Sequence, residues 1–375
     1  MERDLVRVGR PFFDDDDIST ITSKIAAVLR SGHLTSGSVV KEFEERWRAI
    51  AGTKHAVGVS SCTAALHTLM CVLGLGPGDE VVVPANTFVS TANSVLYAGA
   101  TPVFADCDPE TFNVTASTLE RSITPRTRAI IVVHLAGNPC DMGDIVTLCD
   151  RKKLLLVEDC AHAVGSKYEG RPCGTFGIAG AFSFYPTKVI TSGEGGMILT
   201  DSDDIALKAK TFRNVGRAEL GYGPITMLGY NYRMSDIHAC IGISQLEHLE
   251  QFLEKRTQLA KAYGEALHSI HWLKPQKIQE HTVSAYYSYI CRLLSAAPVS
   301  RDELIQQLRE RNIETTVMYR PVHTQPFYSN KYKGERCPNA ELLGQNNIVL
   351  PLHAGMTADE ALLVMEEIRK ISAAQ

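Results

Sequence analysis

The sequence predicts an α/β protein: a large, mostly parallel sheet with helices on both faces, followed by a smaller C-terminal α/β unit. Three observations carry this reading. Short β-branched runs alternate with longer helical stretches through the first two thirds. Those runs are continuously apolar rather than alternating, the pattern of strands covered on both faces. The length, 375 residues, exceeds one ordinary core, and the pattern changes in the last third.

In chain order, residues 56–60 read as a buried strand, followed by a helix over 63–75. Residues 80–84 form the next strand, stopped by Pro84, and a helix covers 87–97. Residues 102–104 and 129–133 continue the series, and a helix begins near Asp141. Further strands are expected at 154–157, 181–184 and 197–199. One long helix is then expected over 235–273, with Gln245, Glu247 and Glu250 on its wet face. Beyond Pro275 come a strand at 286–290 and a helix opened by Ser300 and Asp302. A closing helix starts near Thr357, where Thr357 and Glu360 have capping-box spacing. The expected division is residues 1–250 and 251–375, with the long helix bridging them and the N-terminal segment packing on the smaller unit.

Composition excludes several classes of function. At 45% hydrophobic and 21% charged, the chain is globular rather than disordered. Lys and Arg number 38 against 42 Asp and Glu, so the formal charge is −4, without the basic excess of a nucleic-acid binder. No apolar run approaches bilayer length, and the N-terminus is acidic from Asp14 to Asp17 where a secretory signal needs positive charge. The ten cysteines include no CxxC pair, so neither a metal site nor a disulfide exchanger is expected, and a reducing cytoplasm is the simplest location.

Ligands of open α/β sheets sit beyond the carboxyl ends of the strands. Four segments there carry reactive residues. Ser60-Ser61-Cys62-Thr63-Ala64 joins a strand to a helix, and such a turn either cradles a phosphate or simply caps the helix. Glu158-Asp159-Cys160-Ala161-His162 ends a buried strand; Asp159 there is a cap or a carboxylate awaiting a cation, and His162 is structural or catalytic. Ser183 leads through a proline turn to Lys188, which is a solvated lysine or an amine held near a carbonyl. Gly229-Tyr230-Asn231-Tyr232-Arg233-Met234 is polar and aromatic, a packed turn or part of a site. Together, an anion nest, a strand-end Asp and a loop Lys match the needs of pyridoxal 5′-phosphate: a phosphate cradle, an amine for the aldehyde, and a carboxylate for the ring nitrogen. Nicotinamide cofactors compete poorly, because no GxGxxG follows an early strand.

The ordered series of these segments resembles the DegT/DnrJ/StrS family of pyridoxal-phosphate sugar aminotransferases. The resemblance runs from Ser31-Gly32-His33-Leu34-Thr35-Ser36-Gly37, through Gly78-Asp79-Glu80-Val81, Asn86-Thr87-Phe88 and the segments above, to Gly193-Glu194-Gly195-Gly196 and Pro321-Val322-His323. It implies the fold type I architecture, a homodimer, and an active site shared between subunits. By position, Lys188 matches the cofactor-bonding lysine and Asp159 the partner of the pyridine nitrogen. Cys62, Thr63, Ala64 and Ser183 match phosphate ligands, and Phe88 matches the aromatic that stacks on the ring. His162 matches a catalytic-centre residue near the ring oxygen, and Asn231 one that reaches the neighbouring subunit's phosphate. Thr35, Tyr185, Arg233 and Tyr319 are the expected substrate contacts.

Two positions depart from the family's pattern. Cys62 replaces a glycine, which places a demand on the backbone there, and Met318 replaces a histidine in a region tied to substrate recognition. Lys188 stands where the related dehydratases carry histidine, which favours amino transfer. The resemblance implies conversion of a nucleotide-linked keto-deoxysugar to its amino-sugar, with glutamate or glutamine as donor. A keto-inositol-type substrate, a sugar dehydratase and a non-catalytic regulatory homologue are the alternatives.

Overall fold

The main sheet joins β1 (His55–Val59), β2 (Glu80–Pro84), β3 (Thr101–Ala105), β4 (Thr127–Val133) and β5 (Leu155–Asp159) with two later strands. A short hairpin, β6 (Lys167–Tyr168) and β7 (Arg171–Pro172), intervenes before those strands, β8 (Ala179–Ser183) and β9 (Gly196–Thr200). The spatial order is β1-β9-β8-β5-β4-β2-β3; β9 is antiparallel to both neighbours and every other pair is parallel. This computed structural model describes residues 4–218, 223–332 and 336–373.

The continuously apolar runs are explained by which way each side chain points. Val81 and Val83 pack with Ala65, Leu66 and Leu69 of α3 (Cys62–Val72) and Val95 of α4 (Val89–Tyr97). Val82, between them, packs on the other face with Leu119 of α5 (Ala116–Glu120) and Met142, Ile145 and Leu148 of α6 (Met142–Lys152). Alternate residues of one strand therefore enter two cores, so neither set is polar. A third layer covers the β1 side of the sheet. There α1 (Asp15–Ser31), α2 (Ser38–Ala51) and α8 (Asp236–Glu247) pack together, with Phe43 and Trp47 against Phe184. Helix α7 (Asp203–Arg213) lies beside α3.

Two expected elements differ. The helix over 235–273 is two helices, α8 and α9 (Leu249–Leu267), broken at His248. His248 leaves helical geometry to bring Nε2 within 3.0 Å of the buried Asp17 carboxylate, which also accepts from Ser244 Oγ at 2.5 Å. A tertiary contact overrides local propensity there. The strand expected at 286–290 lies at Tyr289–Leu293. Tyr286 has φ 44°, and its carbonyl and that of Tyr287 are taken by Arg256, which removes both from the ladder.

A second antiparallel sheet contains β10 (Leu273–Pro275), β12 (Tyr289–Leu293) and β13 (Asn347–Leu350), while β11 (Thr282–Val283) pairs with β6. Its core gathers side chains from α9, α10 (Arg301–Arg309) and α13 (Ala358–Ala373), together with Val6. Short helices α11 (Pro326–Lys331) and α12 (Pro338–Asn346) connect the two regions. Thr357 and Glu360 form the expected reciprocal cap. Among the described residues no helix is long and apolar enough to cross a membrane.

Candidate active site

Asp159 is the buried last residue of β5. Its Oδ2 accepts from Thr91 Oγ1 at 2.8 Å, and Thr91 is braced by Thr87 at 2.8 Å. Its Oδ1 accepts from the Ala161 N–H at 3.1 Å. Burial pushes the carboxyl above its ordinary value; the Thr91 and Ala161 hydrogen bonds and the charge of Lys188 oppose this without cancelling it. Such a carboxylate lacks a close cationic partner.

Beside it begins α3. Ser61 caps the helix, its Oγ accepting the Ala64 N–H at 3.1 Å. The Ala64 N–H is thus already bonded, whereas those of Cys62 and Thr63 are the first-turn donors that a helix leaves open. Cys62 is an ordinary helical residue with negative φ, so the backbone makes no demand for glycine. Its Sγ lies 3.9 Å from Asp159 Oδ1, and burial raises the thiol well above its ordinary value. Thr63 Oγ1 donates to Ser90 Oγ at 2.8 Å. Strand β9 presses on this turn: a Cβ on Gly196 would lie 2.4 Å from the Ser61 carbonyl carbon.

Ser183 ends β8, and a turn closed by Lys188 N–H to Tyr185 C=O at 3.0 Å presents the lysine. Lys188 Nζ lies 4.3 Å from the Tyr287 ring centroid. The same ring stacks on His162 at 4.2 Å and 19°. His162 Nδ1 accepts the Ala136 N–H at 3.3 Å, so in the neutral ring Nε2 carries the proton and donates to Tyr319 Oη at 3.0 Å. Burial, then the charge of Lys188, holds His162 well below the ordinary histidine value, which keeps it neutral. Phe88 occupies the N-cap position of α4 and is 53% exposed, its ring 5.6 Å from the Tyr319 ring. Both line a cleft of about 690 Å³ with Asn93, Tyr97, Arg320 and Phe327. Tyr185 is also exposed.

The chain thus brings together Cys62, Thr63, Asp159, His162, Lys188, Phe88 and Tyr319. Thr35, Asn231 and Arg233 form a separate group beside β1. Thr35 Oγ1 donates to the Met234 carbonyl at 3.1 Å, Arg233 Nη1 donates to Asn214 Oδ1 at 3.1 Å, and Asn231 is exposed. That segment is anchored by His67, whose Nδ1 lies 3.0 Å from Tyr232 Oη and whose ring packs edge-on against Tyr97, Phe212, Tyr230 and Tyr232. Met318 is buried in the core, bonded through its backbone to Asn347, and does not line the cleft. Thr91 and Tyr287 escaped the sequence reading. The i,i+4 spacing of Thr87 and Thr91 was the available signal for the first; Tyr287 arrives from far along the chain without one.

Buried His134, Glu158 and Cys160 stand close enough to suggest a metal. The lone pairs of two of them are engaged: Glu158 accepts N–H groups from Gly174, Phe176 and Gly177 and faces His134 Nε2, while His134 Nδ1 accepts from the Cys140 N–H. The cluster braces the strand end that carries Asp159.

The model of the DegT/DnrJ/EryC1/StrS aminotransferase family matches residues 15–369. The chain belongs to this family. It is 38% identical over 339 residues to GDP-perosamine synthase of Caulobacter vibrioides, covering 88% of this chain and 90% of that protein. The structure of the aminotransferase TlmJ from Streptoalloteichus hindustanus superposes with a TM-score of 0.92 at 33% identity, covering 99% of each chain. The PLP form of the sugar aminotransferase Spr1654, described as putative, from Streptococcus pneumoniae superposes with a TM-score of 0.91 at 29% identity, again over 99% of each chain. As a family member the chain is a pyridoxal-phosphate-dependent aminotransferase of fold type I. Its residues fit that cofactor on their own chemistry: open N–H donors at the α3 terminus, a cation-seeking carboxylate at Asp159, the Lys188 amine and the bare face of Phe88.

Proposed function

We propose that this aminotransferase converts a nucleotide-linked keto-deoxysugar to the amino-sugar, with glutamate or glutamine as amino donor. The observation that carries the chemistry is the grouping of Lys188 with Asp159 at the mouth of the parallel sheet, beside the N-terminus of α3. The kinship to GDP-perosamine synthase supports a sugar carried on a nucleotide. The cleft of about 690 Å³ supports an occupant larger than an amino acid, with Arg320 suited to a diphosphate and Phe88 and Tyr97 to flat rings.

Bound pyridoxal phosphate supplies an aldehyde to carry the amino group and a ring that accepts electrons. Lys188 would hold that aldehyde and, once released, would serve as the base and then the acid that moves the proton of the donor's α-carbon. Asp159 would accept the ring N–H and stabilise its positive charge. The N–H groups of Cys62 and Thr63, with Ser183, hold the phosphate at the helix terminus. His162 stays neutral, and because its proton is on Nε2 the Tyr319 hydroxyl keeps its own proton for substrate.

In this reading the enzyme is a homodimer. Exposed Ile225, Leu228 and Tyr230 flank Asn231, which supports burial of that segment and delivery of Asn231 to the partner subunit's phosphate. Thr35, Tyr185, Arg233 and Tyr319 would contact substrate. Residues 1–250 would form the cofactor-binding domain and 251–375 the smaller one.

The test is a panel of GDP-, UDP- and dTDP-linked 4-keto-6-deoxysugars, with glutamate and glutamine, scored for amino-sugar by mass spectrometry. Lys188→Ala should fold, lose borohydride-fixable cofactor and lose turnover. Amination of a keto-inositol alone, or turnover by Lys188→Ala, would overturn the reading.

A further inference from the structure

We propose that Tyr287 belongs to the active centre, holding both the Lys188 amine and the His162 imidazole against its ring, and that Arg256 is the positioning residue that sets it there. The inference rests on the pyridoxal-phosphate reading of Lys188.

The imidazole is stacked at 4.2 Å and Nζ stands 4.3 Å from the same centroid. Both groups therefore contact one ring. The Tyr287 hydroxyl also lies 3.3 Å from Thr187 Oγ1, which ties the ring to the turn that carries Lys188. The ring is therefore fixed relative to three parts of the centre: β5's end, the β8 turn and its own strand entry.

Arg256 explains how the ring is held. It is a buried guanidinium whose hydrogen-bond partners among the described residues are backbone oxygens rather than a carboxylate: Nη1 donates to the carbonyls of Tyr286 at 3.1 Å, Tyr287 at 3.2 Å and Leu352 at 3.2 Å. Burying a charge on carbonyls alone is costly, and Tyr286 sits at φ 44°, a strained conformation for an aromatic residue. Such an arrangement persists where the surroundings over-determine it. What it delivers is the Tyr287 ring, in contact with both a lysine and a histidine.

The ring has two effects on the chemistry. An aromatic face attracts an ammonium, which keeps the flexible lysine stem in the site while the amine is unattached. The stacked face fixes the His162 plane, and hence the Nε2–H bond to Tyr319. Both are preorganisation of reacting groups rather than new bonds.

The experiment uses the full-length cofactor-free protein and measures capture of pyridoxal 5′-phosphate. In that step the Lys188 ammonium gives one proton to solvent, its nitrogen bonds the aldehyde carbon, and the aldehyde oxygen leaves as water with the remaining two protons. Growth of the visible band gives the rate; affinity for pyridoxine 5′-phosphate, which has no aldehyde, reports the rest of the site. Tyr287→Leu should slow capture at least about tenfold, as loss of an oriented contact requires, while pyridoxine phosphate affinity stays within about threefold. Tyr287→Phe, which keeps the ring but loses the tie to Thr187, should slow capture less than Tyr287→Leu does. Arg256→Lys should slow capture, and adding Tyr287→Leu should slow it no further than Tyr287→Leu alone, because the two act through one element. If Tyr287→Leu does not fold, Tyr287→Met carries the same expectation. Capture by Tyr287→Leu at the wild-type rate, or a matching loss of pyridoxine phosphate affinity, overturns the role of Tyr287. Additive losses overturn that of Arg256. A wild-type protein that captures no cofactor overturns the function reading, and this inference with it.

Discussion

Replacing Asp159 by Asn separates what this carboxylate costs the fold from what it does for the cofactor. In the cofactor-free protein its two close donors are Thr91 Oγ1 and the Ala161 N–H. Two hydrogen bonds to a charged acceptor return about 3–6 kcal/mol, against an effective desolvation of several kcal/mol. The raised proton affinity says that desolvation wins. The sign follows: a carboxyl whose folded value lies above its unfolded value, near 4, loses stability as pH rises from there through the folded value, at about 1.4 kcal/mol per pH unit. Asp159→Asn removes the charge and keeps the Ala161 N–H bond on its amide oxygen, while its NH2 donates to Thr91 Oγ1, whose own proton turns to Thr87. The variant without cofactor should therefore be more stable than wild type at pH 8, by about 1–3 kcal/mol, and no more stable at pH 4. Urea unfolding at the two pH values measures this. With saturating pyridoxal phosphate the order should reverse, since a ligand at about a thousand times its Kd adds about 4 kcal/mol to wild type and the variant has lost the partner of the ring cation. A variant that is less stable than wild type at pH 8 without cofactor would refute the reasoning.

Two further outcomes follow from the same geometry. His162 is held neutral, so acid must protonate the unfolded chain first, and stability of the cofactor-free protein should fall as pH drops below about 6.5 with up to about 1.4 kcal/mol per pH unit from this group. His162→Gln should flatten that slope by about one proton without abolishing it, because His67 and His353, the latter lowered to about 4, titrate in the same sense; an unchanged slope in urea titrations would contradict this. Gly196→Ala should weaken cofactor binding about tenfold or more, since its Cβ would meet the Ser61 and Cys62 backbone at 2.4–2.6 Å and overpacking costs about 1–3 kcal/mol. Affinity for pyridoxal, which lacks the phosphate, should fall less if the displaced turn is the phosphate cradle.

The sheet, most helix positions and the strand-end segments were legible in the sequence because their signals are local. An apolar run such as Val81 to Val83 announces two-sided burial, and a Ser or Asp at a strand's end announces a loop at the ligand edge. The main strands from β1 to β9 fall within a residue or two of expectation at most boundaries. Elements set by distant partners were not legible. The break at His248 depends on Asp17, more than two hundred residues away, and the late start of β12 depends on Arg256 reaching the Tyr286 and Tyr287 carbonyls.

The site divides in the same way. Its chemical inventory of lysine, carboxylate, histidine and helix terminus is written in short segments, so residue type and chain order alone determined that an amine and a buried acid would meet at one edge of a sheet. Only the tertiary structure decided their states: which Asp159 oxygen Thr91 meets, which His162 nitrogen carries the proton, and which ring lies beneath Lys188. Those depend on desolvation and on contacts between residues far apart in the chain, and neither quantity exists until the chain has folded.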